Sequence, residues 1–75
     1  MNQKKKNVDA WIARDKDGLL CIYFYKKPIL EHGSEWVQYD YGRAWAILDI
    51  ESYPDVTFEN SPIKVSITKP WNNFV

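Results

Sequence analysis

Residues 10–25, Ala-Trp-Ile-Ala-Arg-Asp-Lys-Asp-Gly-Leu-Leu-Cys-Ile-Tyr-Phe-Tyr, restrict the fold of this chain more than any other stretch. Two runs rich in apolar and aromatic residues are separated by Asp17-Gly18, and this pair favours the positive φ angles of a tight hairpin turn. Residues 10–25 are therefore predicted to form a β-hairpin, with a loop of either two residues (17–18) or four (15–18).

Both loop lengths place the same side chains on the same face of the hairpin, because side chains alternate along a strand. The first face is wholly apolar and is predicted to be core; it carries Trp11, Ala13, Leu20, Ile22 and Phe24. The second face carries Ala10, Ile12, Leu19, Cys21, Tyr23 and Tyr25. Tyrosine rings favour burial and their hydroxyls favour water, so we expect this face to be half covered by a later strand or left partly open for a partner.

The rest of the chain continues the β pattern. Residues 26–35 contain Pro28 and Gly33 and are predicted to be a loop. Residues 36–50 are predicted to form a second hairpin with its turn at 40–43, although 44–53 is also compatible with a helix. We expect a strand there, followed by a short helical turn near 49–53. Residues 56–59 are strand-like, and 63–69 alternate as a half-exposed strand does.

These elements predict one small all-β domain over residues 8–69, an antiparallel meander of four or five strands curled into an open barrel or a strongly twisted sheet. Residues 1–7 are predicted to be a disordered basic tail and 70–75 a C-terminal aromatic tail. Ten Lys and Arg residues balance ten Asp and Glu residues, so the net charge implies no general attraction to nucleic acid or to an anionic membrane. The chain starts without an apolar run, so we expect no signal peptide and a cytoplasmic location.

Few residues could carry out chemistry. Cys21 lies in an apolar run, where a thiol stays protonated, and His32, the one histidine, lies in a charged stretch. One cysteine and one histidine are too few ligands for a zinc site. The Asp-Lys-Asp-Gly turn does not fit a calcium loop, because the first position of that loop would be Ala13. We therefore expect a protein that is not an enzyme and that has no catalytic residue, metal or cofactor.

Aromatic residues make up 16% of the chain, and a core this small is not expected to absorb all of them. Exposed rings in small β domains anchor protein interfaces or stack nucleic-acid bases. The predicted binding surface comprises Tyr23, Tyr25, Trp36, Tyr39, Tyr41 and Trp71. Our main hypothesis is a protein–protein interaction module, monomeric or homodimeric, that uses this aromatic face or an open sheet edge such as that of the last strand.

The alternative hypothesis is a small β domain that binds single-stranded nucleic acid. Basic residues are interleaved with aromatic rings in and around the first hairpin: Lys4, Lys5, Lys6, Arg14, Lys16, Lys26 and Lys27. Each stacked base contributes roughly 1–3 kcal/mol. A sequence pI near 6.5 weighs against this hypothesis, because nucleic-acid-binding domains usually present a clearly basic face.

Three segments carry a resemblance to a known family: Trp-Ile-Ala-Arg-Asp-Lys-Asp-Gly-Leu-Leu at 11–20, Lys-Lys-Pro at 26–28 and Tyr-Pro-Asp-Val-Thr-Phe-Glu-Asn-Ser-Pro-Ile-Lys-Val-Ser-Ile at 53–67. In these segments the chain resembles small β-rich proteins from Bacteroidetes genomes and from their phages and mobile elements. The resemblance implies a compact β-rich domain in the cytoplasm. It brings no assigned activity and no catalytic motif.

Overall fold

The computed structural model describes residues 5–39 and 44–70, and every regular element in these residues is a β-strand. The strands are β1 (Lys5–Arg14), β2 (Leu20–Phe24), β3 (Ile29–Glu31), β4 (Glu35–Val37), β5 (Trp45–Leu48) and β6 (Ile63–Pro70). The predicted all-β, antiparallel class is confirmed. The described residues contain six strands, whereas four or five were predicted.

Four strands form one antiparallel sheet in the order β5-β2-β1-β6, and β3 and β4 form a separate two-stranded sheet. The larger sheet is open, with β5 and β6 at its two edges. It is not a simple meander, because the chain leaves this sheet to form β3 and β4, and β6 returns to pair with β1. The prediction that the last strand lies at a sheet edge is confirmed.

The loop between β1 and β2 differs in length from both predicted loops. Arg14 pairs with Leu20, and hydrogen bonds from Asp15 N to Leu19 O (2.8 Å) and from Gly18 N to Asp15 O (2.9 Å) close a loop of residues 16–18. Gly18 has a φ of +102°, and it supplies the positive φ that such a hairpin loop requires. A loop with an odd number of residues shifts the pairing of β1 with β2 by one residue relative to an even loop. The prediction of which β1 and β2 side chains share a face is therefore wrong.

The shift exchanges the β1 residues between the two faces of the sheet, while Leu20, Ile22, Cys21 and Tyr23 keep their predicted places. The core face carries Val8, Ala10, Ile12, Leu20, Ile22, Phe24, Ile63, Val65 and Ile67. The second face carries Trp11, Ala13, Cys21, Tyr23, Trp45 and Ile47. Trp11 and Ala13, predicted for the main core, therefore lie on the second face.

The loop of residues 49–62 covers the core face and inserts Val56 into it. Val56 is buried in one cluster with Ala10, Ile12, Leu20 and Ile22. The predicted strand at 56–59 is absent: Thr57 and Asn60 exchange hydrogen bonds between their side chains and backbone N–H groups, at 2.8 and 3.1 Å. These bonds form a turn, which replaces pairing with a neighbouring strand.

Arg14 holds the loop of residues 49–62 against the β1–β2 hairpin. Its guanidinium group donates five hydrogen bonds of 2.6–3.2 Å to backbone carbonyl oxygens, those of Gly18, Ile50, Ser52, Tyr53 and Val56. A guanidinium has five N–H donors in a rigid planar fork, so all of them are used. The backbone N–H of Arg14 adds a hydrogen bond to Ser61 Oγ at 2.8 Å.

The middle of the chain differs most from its prediction. Residues 26–35, predicted as a loop, contain β3 and its turn to β4, in which His32 and Gly33 have φ of 56° and 72°. The predicted hairpin at 36–50 is wrong, since β4 pairs with β3 and β5 pairs with β2; its predicted turn at 40–43 lies outside the described residues. Residues 45–48 are a strand, as expected, and a turn closed by Ser52 N and Asp49 O (2.9 Å) follows in place of the expected helical turn.

The β1–β6 pair extends beyond the predicted domain limits. Residues 5–7, predicted as part of a tail, pair with residues 68–70. The long alternating strand β6 offers a partner to these polar residues, so backbone pairing forms without apolar side chains in residues 5–7. Residues 1–4 and 71–75, the remaining parts of the two predicted tails, lie outside the described residues.

Arg14→Lys tests the role of the guanidinium group. Lysine keeps the charge, but its ammonium group has three N–H donors on one nitrogen, so at least two of the five carbonyl groups lose their donor. Hydrogen bonds to charged groups contribute about 1.5–3 kcal/mol each, so we expect the free energy of unfolding in urea to fall by about 3 kcal/mol. Lys64→Met, at a side chain that is 60% exposed, serves as the control and should cost less than about 1 kcal/mol. Equal effects of the two substitutions would contradict this role.

Candidate functional site

The hairpin of β3 and β4 lies over the second face of the main sheet, and Trp36 on β4 attaches it. Trp36 donates from Nε1 to Arg14 O (3.2 Å) and from its backbone N to Asp15 Oδ1 (2.9 Å), and its carbonyl accepts a hydrogen bond from the Tyr23 hydroxyl (2.8 Å). The Trp36 side chain packs against a buried cluster of Ala13, Cys21 and Tyr23. The second face is therefore half covered by this hairpin; coverage by a later strand was one of the two arrangements that the sequence left open.

Gln38, just after β4, attaches the hairpin at a second point. Its Nε2 donates to Phe24 O (2.8 Å) and Lys26 O (2.9 Å). Because only the amide nitrogen can donate to two carbonyl groups, the remaining atom of the side-chain amide is Oε1. This oxygen is buried and accepts no hydrogen bond from the described residues.

An open cleft of about 350 Å³ remains on the second face between the hairpin and β5. Four aromatic residues line it, together with one carboxylate, one thiol, one amide and two aliphatic residues: Tyr23, Trp36, Tyr39, Trp45, Asp15, Cys21, Gln38, Leu19 and Val37. β2 contributes the buried residues of the lining, and residues 36–39 and β5 contribute its more exposed rings. The cleft is thus a largely aromatic site beside an edge strand.

The four rings of the cleft differ in exposure. Tyr23 is 4% exposed, Trp45 is 37% exposed and Tyr39 is 61% exposed. The rings of Tyr23 and Trp45 have centroids 6.4 Å apart and an interplanar angle of 33°. Burial raises the pKa of the Tyr23 phenol, and a hydrogen bond to the Glu31 carboxylate raises the pKa of Tyr39. Both phenols therefore stay neutral at physiological pH.

Asp15 brings negative charge to the cleft. Burial raises the pKa of its carboxyl group above the ordinary value of 3.8, and the hydrogen bond from Trp36 N partly offsets this effect. Repulsion from Asp17 and Glu35 raises the pKa further. Asp17 and Glu35, with Lys16 and Ser34, line a smaller depression of about 280 Å³. The part of the site around Asp15 is therefore acidic.

Cys21 and His32 occupy the environments predicted for them. Cys21 is buried, and this burial raises the pKa of its thiol, which keeps it protonated. His32 is exposed in the β3–β4 turn. Within residues 5–39 and 44–70, no group of three or more His, Cys, Asp or Glu residues is placed to hold a metal ion. The same residues include no helix of a length and hydropathy that could span a membrane.

The structure brings together three of the six residues predicted for the binding surface. Tyr23, Trp36 and Tyr39 line the cleft. Tyr25 is exposed but does not line it, because the chain leaves β2 at this residue, which has a φ of 75°. Tyr41 and Trp71 lie outside the described residues.

Sequence reasoning missed Trp45, Asp15 and Gln38. Trp45 had a usable signal, since it alternates with Ile47 along a correctly predicted strand. Asp15 and Gln38 had no such sequence signal. They reach the cleft because β4, which pairs with β3 in a separate sheet, packs onto the main sheet.

Asp15→Asn tests the electrostatics of the cleft, because asparagine keeps an Oδ1 acceptor for Trp36 N. A raised folded-state pKa means that the folded protein binds the proton more tightly than the unfolded chain does. Ionisation of Asp15 therefore lowers stability as the pH rises from 3.8 through the folded-state pKa. We expect the variant to be at least as stable as the wild type at neutral pH, with its advantage lost in acid.

The measurement is urea denaturation over a pH series. Asp9→Asn changes a carboxylate whose side chain is 61% exposed and should give no such gain. An Asp15→Asn protein that is less stable than the wild type at neutral pH, but equal to it in acid, would show that the carboxylate is stabilising and would contradict the prediction.

Comparison of the chain with protein-family models, with curated proteins and with solved structures gives no match. The family resemblance carried by residues 11–20, 26–28 and 53–67 thus stays a prediction. The function has to be inferred from the geometry and electrostatics of the cleft and of the strand beside it.

Proposed function

We propose that this chain is a non-enzymatic module that binds another protein, and that it does so with the outer edge of β5 and the adjoining cleft. The observation that carries this proposal is the character of β5 as an edge strand. Trp45, Ala46 and Ile47 are all exposed, and the strand contains no charged residue. A row of exposed apolar residues at a sheet edge favours the addition of another strand.

The two edge strands of the main sheet differ in how well they are protected against pairing with a strand of another molecule. Natural edge strands are commonly protected from pairing by lysine and proline. β6 includes Lys64, whose side chain is 60% exposed. β5 has no such residue, and no other described strand pairs with its outer side. This contrast favours β5 over the last strand, which the sequence had suggested as the open edge.

An extended segment of the partner would pair its backbone with β5 and continue the sheet. Because side chains alternate along a strand, every second side chain of that segment would lie on the second face, beside Trp45 and Ile47. Those side chains would then be next to the cleft. In this arrangement backbone hydrogen bonds supply affinity, and the cleft selects which side chains are accepted.

Nucleic-acid binding has less support. Arg14, which was predicted to belong to a basic surface, donates all of its guanidinium N–H groups to backbone carbonyls, so none is left for a phosphate. The carboxylates of Asp17 and Glu35 each lie close enough to Asp15 to repel its negative charge. Negative charge beside the cleft repels a phosphate backbone.

Ile47→Lys places on β5 the kind of charge that protects other edge strands. Peptides selected from a random phage-displayed library on the wild-type protein should bind this variant at least about tenfold more weakly, a loss of about 1.4 kcal/mol. Stability in urea should be nearly unchanged, because Ile47 is 61% exposed. Ser66→Lys is the matched control, since Ser66 is exposed on the same face of the opposite edge strand.

Equal losses in the two variants, or selected peptides that leave the amide resonances of residues 45–48 unshifted, would contradict the proposed site. A dimer in sedimentation experiments that Ile47→Lys dissociates would assign the β5 edge to a second copy of this chain instead of another protein.

A further inference from the structure

The polar groups that line the cleft can accept hydrogen bonds, but none of them carries positive charge. Asp15 is the one carboxylate among the lining residues, and these include no lysine or arginine. A carboxylate accepts hydrogen bonds and attracts positive charge, so a cationic ligand that donates hydrogen bonds suits this site.

The charge around Asp15 is negative. Asp17 and Glu35 are close enough to Asp15 to disfavour its ionised form. Lys16 lines the neighbouring depression with Asp17 and Glu35. Between described residues, however, the ion pair that forms joins Lys64 on β6 to Asp9 on β1, at 3.8 Å. It involves neither Lys16 nor any of these three carboxylates. The three carboxylates therefore have no ion-pair partner among the described residues.

The aromatic walls of the cleft suit the same kind of ligand. A cation over the face of a tryptophan or tyrosine ring is attracted by the ring's electrons. The second face already contains one such contact, with Lys64 Nζ 5.8 Å from the centroid of the Trp11 ring. Trp36, Tyr39 and Trp45 line the cleft together with Asp15, so rings and negative charge occur in one site.

We propose that the cleft binds the side chain of a lysine or arginine carried by the partner segment that pairs with β5. This inference rests on the proposed function, and it specifies the chemistry of the partner. The basic group would lie between the aromatic rings and the Asp15 carboxylate, with its aliphatic stem along Trp45. The site would accordingly discriminate against the same segment with a neutral or acidic side chain at that position.

The test compares short extended peptides of alternating valine and threonine whose central residue is lysine, arginine, acetyl-lysine or glutamate. Binding to the full ¹⁵N-labelled chain is followed by NMR. We expect the lysine and arginine peptides to bind about tenfold more tightly than the acetyl-lysine peptide, with shifts at residues 45–48 and at the Trp36 indole. The glutamate peptide should bind most weakly. Raising the salt concentration should reduce the advantage of the basic peptides.

Asp15→Asn keeps the acceptor for Trp36 N and should abolish the preference for lysine over acetyl-lysine. Asp9→Asn, on the same face but away from the cleft, should preserve it. Equal affinity for the lysine and acetyl-lysine peptides, with shifts at residues 45–48, would overturn the basic-side-chain inference and leave the β5 edge supported. Shifts at Trp36 without shifts at residues 45–48 would keep the cation site and overturn the strand-pairing function. A spectrum that no peptide changes would overturn both.

Discussion

The guanidinium group of Arg14 is the interaction on which the rest of the fold depends. Residues 49–62 contain no strand, yet they cover the core face of the sheet. Four of their backbone carbonyls and the carbonyl of Gly18 accept hydrogen bonds from this one planar group. Val56 is buried as a result. In a chain of this size a single core supplies about 3–5 kcal/mol of net stability, so the network is a large part of it.

Arg14 also connects the core to the candidate site on the other side of the sheet. Its side chain holds the loop on the core face, and its carbonyl accepts the hydrogen bond from Trp36 Nε1. Trp36 in turn positions β4 on the second face, and Asp15, the next residue along the chain, accepts from the backbone N of Trp36. The shape of the cleft therefore depends on the same hairpin end that closes the core.

The fold class followed from local patterns, but the pairing of faces did not. Alternation along β6 correctly predicted that Ile63, Val65 and Ile67 face the core, where they are partly buried. The error in β1 came from a single loop residue, because a loop of residues 16–18 shifts the pairing by one position relative to the even loops that were considered. Trp11 and Ile12 exchanged faces as a consequence. Neither register is excluded by the local sequence, since both strands are apolar on both faces.

Part of the candidate site could also be predicted from the sequence. Aromatic content pointed to Tyr23, Trp36 and Tyr39, which do line one cleft. Alternation also predicts Tyr25 for the site, but β2 ends at Phe24 and Tyr25 has a φ of 75°. Trp45 could also have been predicted, because it alternates with Ile47 along β5. Asp15 joins the site through a contact between segments that are distant along the chain, and no local pattern specifies such a contact.

The sequence by itself determined that this chain is a small antiparallel β domain, that a hairpin turns near Asp17-Gly18, that β6 is half exposed and that Cys21 is buried. Each of these properties follows from side-chain alternation or from turn chemistry within a few residues. Only the tertiary structure decided the register of β1, the partners of β4 and β5, and the position of the cleft. The register of β1 depends on the length of its loop to β2. The docking of β4 and the position of the cleft depend on long-range hydrogen bonds of Trp36 and Gln38 to backbone groups. Every residue presents such backbone groups, so the sequence does not show which of them will be chosen.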